Sequence, residues 1–286
     1  MMAAGKDTAQ RPRSIGKRLR KYGSFFRIRL VTGLQYRTAA WAGLCTQFFW
    51  GLMEIMIFKA FYETGTTGGY PMELGQVTDY LWLQQAFLTM FFVWNSGNDI
   101  LELIRNGNIA YELVRPMDLY NQWLVKNLAE RAAKVLLRFW PVLLVAFLLP
   151  EPFNLAMPVS GVAFACFLFT LVMGCILVVA YLMLVLIATI YTLNPMGIRL
   201  IAVSMTEFLT GALVPLPFLP HWLQRFLELS PFGSMQNLPL RIYCGDIAGA
   251  EMWQAMSLQL FWVVALIGIG RFWMKRALRQ VVAQGG

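Results

Sequence analysis

The chain has 286 residues, 58% of them hydrophobic and only 14% charged, with a mean hydropathy of +0.56. Soluble domains average about 45–50% apolar and about 25% charged residues, so one water-soluble core is excluded and lipid must serve as solvent. The net charge of +9 would suit a nucleic-acid partner, but its placement argues against one. About ten of the 24 Lys and Arg residues precede residue 38, and most others lie between Arg105 and Arg138 or after Gly270. They flank apolar runs, as the positive-inside rule expects.

The N-terminal region, 1–38, reads as a cytoplasmic basic tail that ends in an amphipathic segment. Ile15, Leu19, Tyr22, Phe25, Phe26 and Leu30 recur at rough helical spacing among cations, so this segment can lie in the inner headgroup region. The plainer alternative is a basic tail without structure. No short apolar block with a small-residue cleavage site is present, so the first span is expected to insert uncleaved.

A membrane-crossing helix needs roughly 20 apolar residues. Six candidate spans follow: about 39–61, 80–100, 133–149, 157–191, 197–214 and 252–273. The expected fold is therefore an all-α membrane protein, with residues 39–276 as the transmembrane domain and 277–286 as a cytoplasmic tail. The flanks orient it. Residues 62–79 hold Glu63, Glu73 and Asp79 but no Lys or Arg, so they are outside; 102–138 carry six Lys and Arg, so they are inside. The basic residues Arg271, Lys275, Arg276 and Arg279 put the C-terminus inside, so both termini are cytoplasmic.

Between the fifth and sixth spans, Gly211 to Asp246 contains Pro215, Pro217, Pro220, Pro231 and Pro239 yet stays very apolar. Proline breaks helices, and non-helical backbone at membrane depth is tolerated only against protein or a wet cavity. Re-entrant helices before the last span are expected. The alternative is an ordinary outer loop with a short amphipathic helix at 221–229.

No catalytic constellation is visible. His221 is the one histidine, and the cysteines Cys45, Cys166, Cys175 and Cys244 show no zinc spacing. There is no GxxxxGK[ST] loop, so nucleotide hydrolysis by the P-loop route is excluded for this sequence. Glu54 and Glu207 fall inside spans, where charges are costly and often functional. They read as polar contacts within the bundle or at a subunit interface, or else as coupling carboxylates of a carrier. Trp41, Trp222, Trp253 and Trp273 fit an aromatic belt.

The most specific stretch is the inner loop IRNGNIAYELVRPMDLY, 104–120. It reads as a short amphipathic helix stopped at Arg115-Pro116, since the residue before proline disfavours helix. The pattern Gly107, Ile109, Leu113, Arg115-Pro116 and Tyr120, with Tyr111 as a further apolar contact, resembles the cytoplasmic loop of six-span permease subunits of type-2 ABC exporters. The closest branch is the small "ABC-2 family transporter protein" group. Gly211, Pro215, Pro217, Pro220, Trp222 and Pro231 are similar to that family's outer segment. The resemblance covers about 28–276.

The resemblance implies a permease that forms the translocation path but is not itself an enzyme. It binds no cofactor; ATP–Mg is hydrolysed in separate ABC ATPase subunits. A second permease, identical or paralogous, completes the dimer in the lipid of a bacterial cytoplasmic (inner) membrane. Residues 102–120 would be the coupling helix, and 211–243 would shape the outer gate. The competing reading is a secondary transporter or channel not driven by ATP.

Overall fold

A computed structural model describes residues 15–35, 37–65, 69–94, 97–192 and 195–279. The first fourteen residues of the basic tail, the turn residues 193–194 and the end of the C-terminal tail from 280 lie outside the described residues. Among the described residues every regular element is helical. In chain order these are α1 (Ile15–Leu34), α2 (Arg37–Thr64), α3 (Leu74–Ala86), α4 (Leu88–Phe91), α5 (Asn98–Arg105) and α6 (Ile109–Leu113). There follow α7 (Leu119–Leu148), α8 (Gly161–Ile190), α9 (Pro195–Leu209), a 3-10 turn (Leu216–Phe218), α10 (His221–Leu229), α11 (Asn237–Tyr243) and α12 (Gly249–Ala277).

Three of these helices are long and apolar enough to cross a bilayer: Gly43–Thr64 of α2, Gly161–Ile190, and Gly249–Ala277. Two-thirds of α8's most apolar stretch is buried, against 22% for the other two, so α8 is the central post. It packs against α12, α11, α7 and α9. The others turn large apolar side chains outward: Phe49, Met56 and Ile57 on α2, Phe261, Val264 and Phe272 on α12. Soluble monomers do not expose apolar surface on this scale; lipid covers it.

The remaining segments expected to span differ in form. Residues 80–100 are not one helix. α3 starts earlier, at Leu74, stops at Ala86, and a four-residue α4 ends at Phe91. Ending a helix inside a protein strands its last carbonyls. Here Arg131 of α7, only 2% exposed, donates from Nη1 to Met90 O (2.6 Å) and Phe92 O (2.8 Å). Helix α7 begins well before the expected 133 and carries Pro141 in its interior. Helix α9 has 15 residues, about 22 Å at 1.5 Å per residue.

Helix α1 lies along the first half of α7 and runs the same way. Lys21 Nζ donates to Pro116 O near one end, and Gly33 meets Ala133 near the other. Close packing also shapes the proline-rich segment 211–246. A Cβ on Gly174 of α8 would collide with the carbonyl oxygen of Met235, so glycine there admits the backbone that leads into α11.

Candidate functional site

The loop 104–120 is built as a braced fingertip. Helix α5 ends in a Schellman arrangement: Asn108 N donates to Leu103 O (2.9 Å) and Gly107 N to Ile104 O (3.3 Å). The residue at the turn must take positive φ, and Gly107 has φ 69°. The chain re-enters helix at once as α6. Ile109 is 4% exposed and plugs α6 into the core. Pro116 and the N-cap Asp118, whose side chain accepts from Asn121 N (2.9 Å), then start α7.

Bracing comes from behind. Glu112 pairs with Arg115 (3.2 Å) and accepts from Gln122 Nε2. Lys126 pairs with Asp99 at the start of α5. Asp118 N donates to Tyr22 OH of α1 (3.3 Å). Tyr120 is buried against Gly270 of α12, and burial lifts its phenol to about 12, with Arg271 offsetting part of the rise. What remains outward is apolar: Tyr111 at 75% exposure, Val114 at 85%, and Leu113. Exposed apolar groups on a rigid mount are suited to docking a protein.

A second constellation lies among α2, α3–α4 and α9. It is a cavity of about 480 Å³ lined by Gln47, Trp50 and Glu54 of α2, Gln84 and Gln85 of α3, Thr206 and Glu207 of α9 and Thr210 just after it, with Arg138 of α7 at its edge. On α2, Gln47, Trp50 and Glu54 are spaced three and four apart, which puts them on one face. Gln47 Nε2 donates to Gln85 O (3.0 Å), and Gln85 Nε2 donates to Glu54 Oε2 (3.2 Å).

The segment 211–246 roofs this cavity with Ala212, Leu213 and Gln236. Gln84 joins both halves of the roof: its Nε2 donates to Ala212 O (2.9 Å) and its Oε1 accepts from Gln236 Nε2 (3.1 Å). Tyr80 OH donates to Gly211 O (3.2 Å). Elsewhere in this segment, Arg241 pairs with Glu228 of α10 and with Asp246. Burial opposes the charge on Arg241, but the two carboxylates outweigh it and raise its pKa.

A sequence model of a family described as ABC-2 family transporter protein matches residues 48–285, most of the chain. The chain belongs to that family. It is accordingly a transmembrane permease component of an ABC transporter. No individual curated protein matches it.

Within this ABC-2 protein the residues singled out from sequence fall into distinct places. Gly107, Ile109, Tyr111, Leu113, Arg115, Pro116 and Tyr120 form the inner fingertip, with Ile109 and Tyr120 as internal anchors rather than exposed contacts. Pro215 and Pro217 frame the 3-10 turn, and Pro220 caps α10, which carries Trp222 outward. Pro231 stands in the turn between α10 and α11. Glu54 and Glu207, 153 residues apart in sequence, line one cavity. The glutamines around them were not singled out, nor was Arg138. Their signal is faint: single polar residues inside TQFFWGLME and LWLQQAF, which barely alter hydropathy.

Proposed function

We propose that this chain is the membrane-spanning permease subunit of an ATP-binding cassette exporter, driven by separate ATPase subunits that hydrolyse ATP–Mg. The observation that carries the reading is the inner fingertip. Tyr111, Leu113 and Val114 project outward on a short helix held by Ile109, the Glu112–Gln122 contact and the Lys126–Asp99 pair. An element so held transmits a push instead of absorbing it. Closure of two ATPases on ATP moves the fingertip, and rigid helices carry that motion to the outer segment as a two-state rearrangement.

In this reading residues 39–276 cross the bacterial cytoplasmic membrane six times, with α3–α4, α7 and α9 added to the three strongly apolar helices. Both termini are cytoplasmic, and α1 is an interfacial helix. Trp41 and Trp273 then mark the inner interface and Trp222 and Trp253 the outer one. The short helices around Pro215, Pro220 and Pro231 shape the exit, and the cavity beneath them belongs to the translocation path. A second permease, identical or paralogous, faces the exposed apolar side of α9.

The test is coupling. Arg115→Glu and Leu113→Asp leave insertion intact but uncouple ATP hydrolysis from transport, read as transport per ATP in vesicles containing the assembled transporter. Normal coupled transport by both variants overturns the docking role of the loop. Active transport by this chain with no ATPase present overturns the whole reading in favour of a secondary carrier.

A further inference from the structure

We infer that the cavity among α2, α3–α4 and α9 binds an amphipathic organic cation: an ammonium, amidinium or aromatic amine group carried on a flat apolar body. The inference rests on the permease reading above and names the class of molecule the path takes.

The argument starts from an imbalance of donors and acceptors. Gln47 is 3% exposed, and its Oε1 has no hydrogen-bond partner although its Nε2 is engaged with Gln85 O. A buried acceptor is stabilised by a donor, and Gln47 Oε1 has none in the protein. About two helical turns along the same face, Glu54 accepts from Gln85 through one oxygen, and the other carboxylate oxygen has no protein donor among the described residues. Glu207, on the opposite wall, has no hydrogen bond or ion pair among them either. Three acceptor groups, two of them carboxylates, therefore converge on one cavity.

The cationic side is thinner. Arg138 lies at the edge, its guanidinium packed against α2 at Gly43, so the lining sets two carboxyl groups against one guanidinium. A ligand that donates N–H groups and carries one positive charge meets both deficits; an anion meets neither. Trp50 is half-exposed at the rim. Its indole face attracts a cation as well as covering an apolar ring. A volume of about 480 Å³ falls within the roughly 300–1,000 Å³ of sites that take drug-sized molecules.

The experiment uses the full-length chain with whatever subunits it retains, in lipid nanodiscs. The probe is ethidium, a flat cation with two aromatic amines, followed by fluorescence anisotropy; anilinonaphthalene sulfonate serves as the anionic control. Ethidium is expected to bind saturably, and the sulfonate is expected not to compete. Glu54→Gln and Gln47→Leu each weaken ethidium by about tenfold, the size expected when a hydrogen bond to a charged group is lost, while Glu54→Asp retains most of the binding. Glu207→Gln weakens it too. Equal ethidium binding by Glu54→Gln and Glu207→Gln, in protein whose melting temperature is unchanged, overturns the inference. Competition by the sulfonate also overturns it. Binding does not need ATP, so this outcome is separate from the permease reading, which fails instead if ethidium binds as described but added ATPase and ATP never drive its flux.

Discussion

Single side chains hold this protein together by closing backbone gaps that lipid cannot close. Gln259 of α12 is fully buried, and its Nε2 donates to Thr170 O of α8 (2.9 Å) and Ser234 O (2.8 Å). One amide thus joins two long helices to the turn before α11. Gln259→Leu keeps the volume and removes the donor, leaving Ser234 O without that partner. A buried polar group so stranded costs about 1–3 kcal/mol; release of the unpaired Gln259 Oε1 recovers part. The expected net loss is about 1–2 kcal/mol, seen as a melting temperature lower by a few degrees in detergent. No change in melting would show that the bridge adds nothing. Arg131 does related work at the end of α4 but brings a charge into the bundle, so its removal trades lost donors against relieved desolvation. The neutral glutamine gives a prediction of unambiguous sign.

At the scale of elements, the apolar helices α2, α8 and α12 were legible because length and hydropathy suffice for them. The stop before Pro116 was legible, but the single helix expected over 104–115 is split by a left-handed turn at Gly107 into α5 and α6. The helix at 221–229 followed from its own amphipathic spacing. The breaks at Phe87 and after Phe91 were not legible: LWLQQAFLTMFFVW contains no Gly or Pro, and the end of α4 is stabilised by Arg131, about 40 residues away, which takes the carbonyls of Met90 and Phe92. The cavity was illegible for the same reason, since Glu54, Gln85, Glu207 and Gln236 come from four distant stretches and meet only in the fold. Beside Tyr80, which bonds Gly211 O, Gln84 ties α3 to the roof at two points. Gln84→Leu cuts both the Ala212 and Gln236 contacts and should loosen the outer segment selectively. Hydrogen exchange of backbone amides over 211–243 is expected to speed up about tenfold or more while the core of α8 is unchanged, because local opening is governed by local contacts. Equal acceleration in α8 would mean global destabilisation and would refute a selective latch.

For the whole molecule the open question is how many times the chain crosses the bilayer, and its charge and its helices can be made to answer. If only the three strongly apolar helices crossed, α2 would carry the chain outward and residues 65–160 would stay outside, six Lys and Arg of the 102–138 stretch included. That violates the positive-inside rule at its strongest point. With α3–α4, α7 and α9 crossing as well, the fingertip returns to the cytoplasm, Trp222 lies outside and the exposed Arg276 ends in the cytoplasm too. The two arrangements therefore differ in sign at three places. In a Cys45→Ser background, whose other cysteines are buried, Val114→Cys, Trp222→Cys and Arg276→Cys each present an exposed thiol. A membrane-impermeant maleimide applied to intact cells is expected to label Trp222→Cys alone; applied to inverted vesicles it is expected to label Val114→Cys and Arg276→Cys. The reverse pattern at all three would establish three crossings, remove the fingertip from any cytoplasmic partner, and leave the ATPase nowhere to dock.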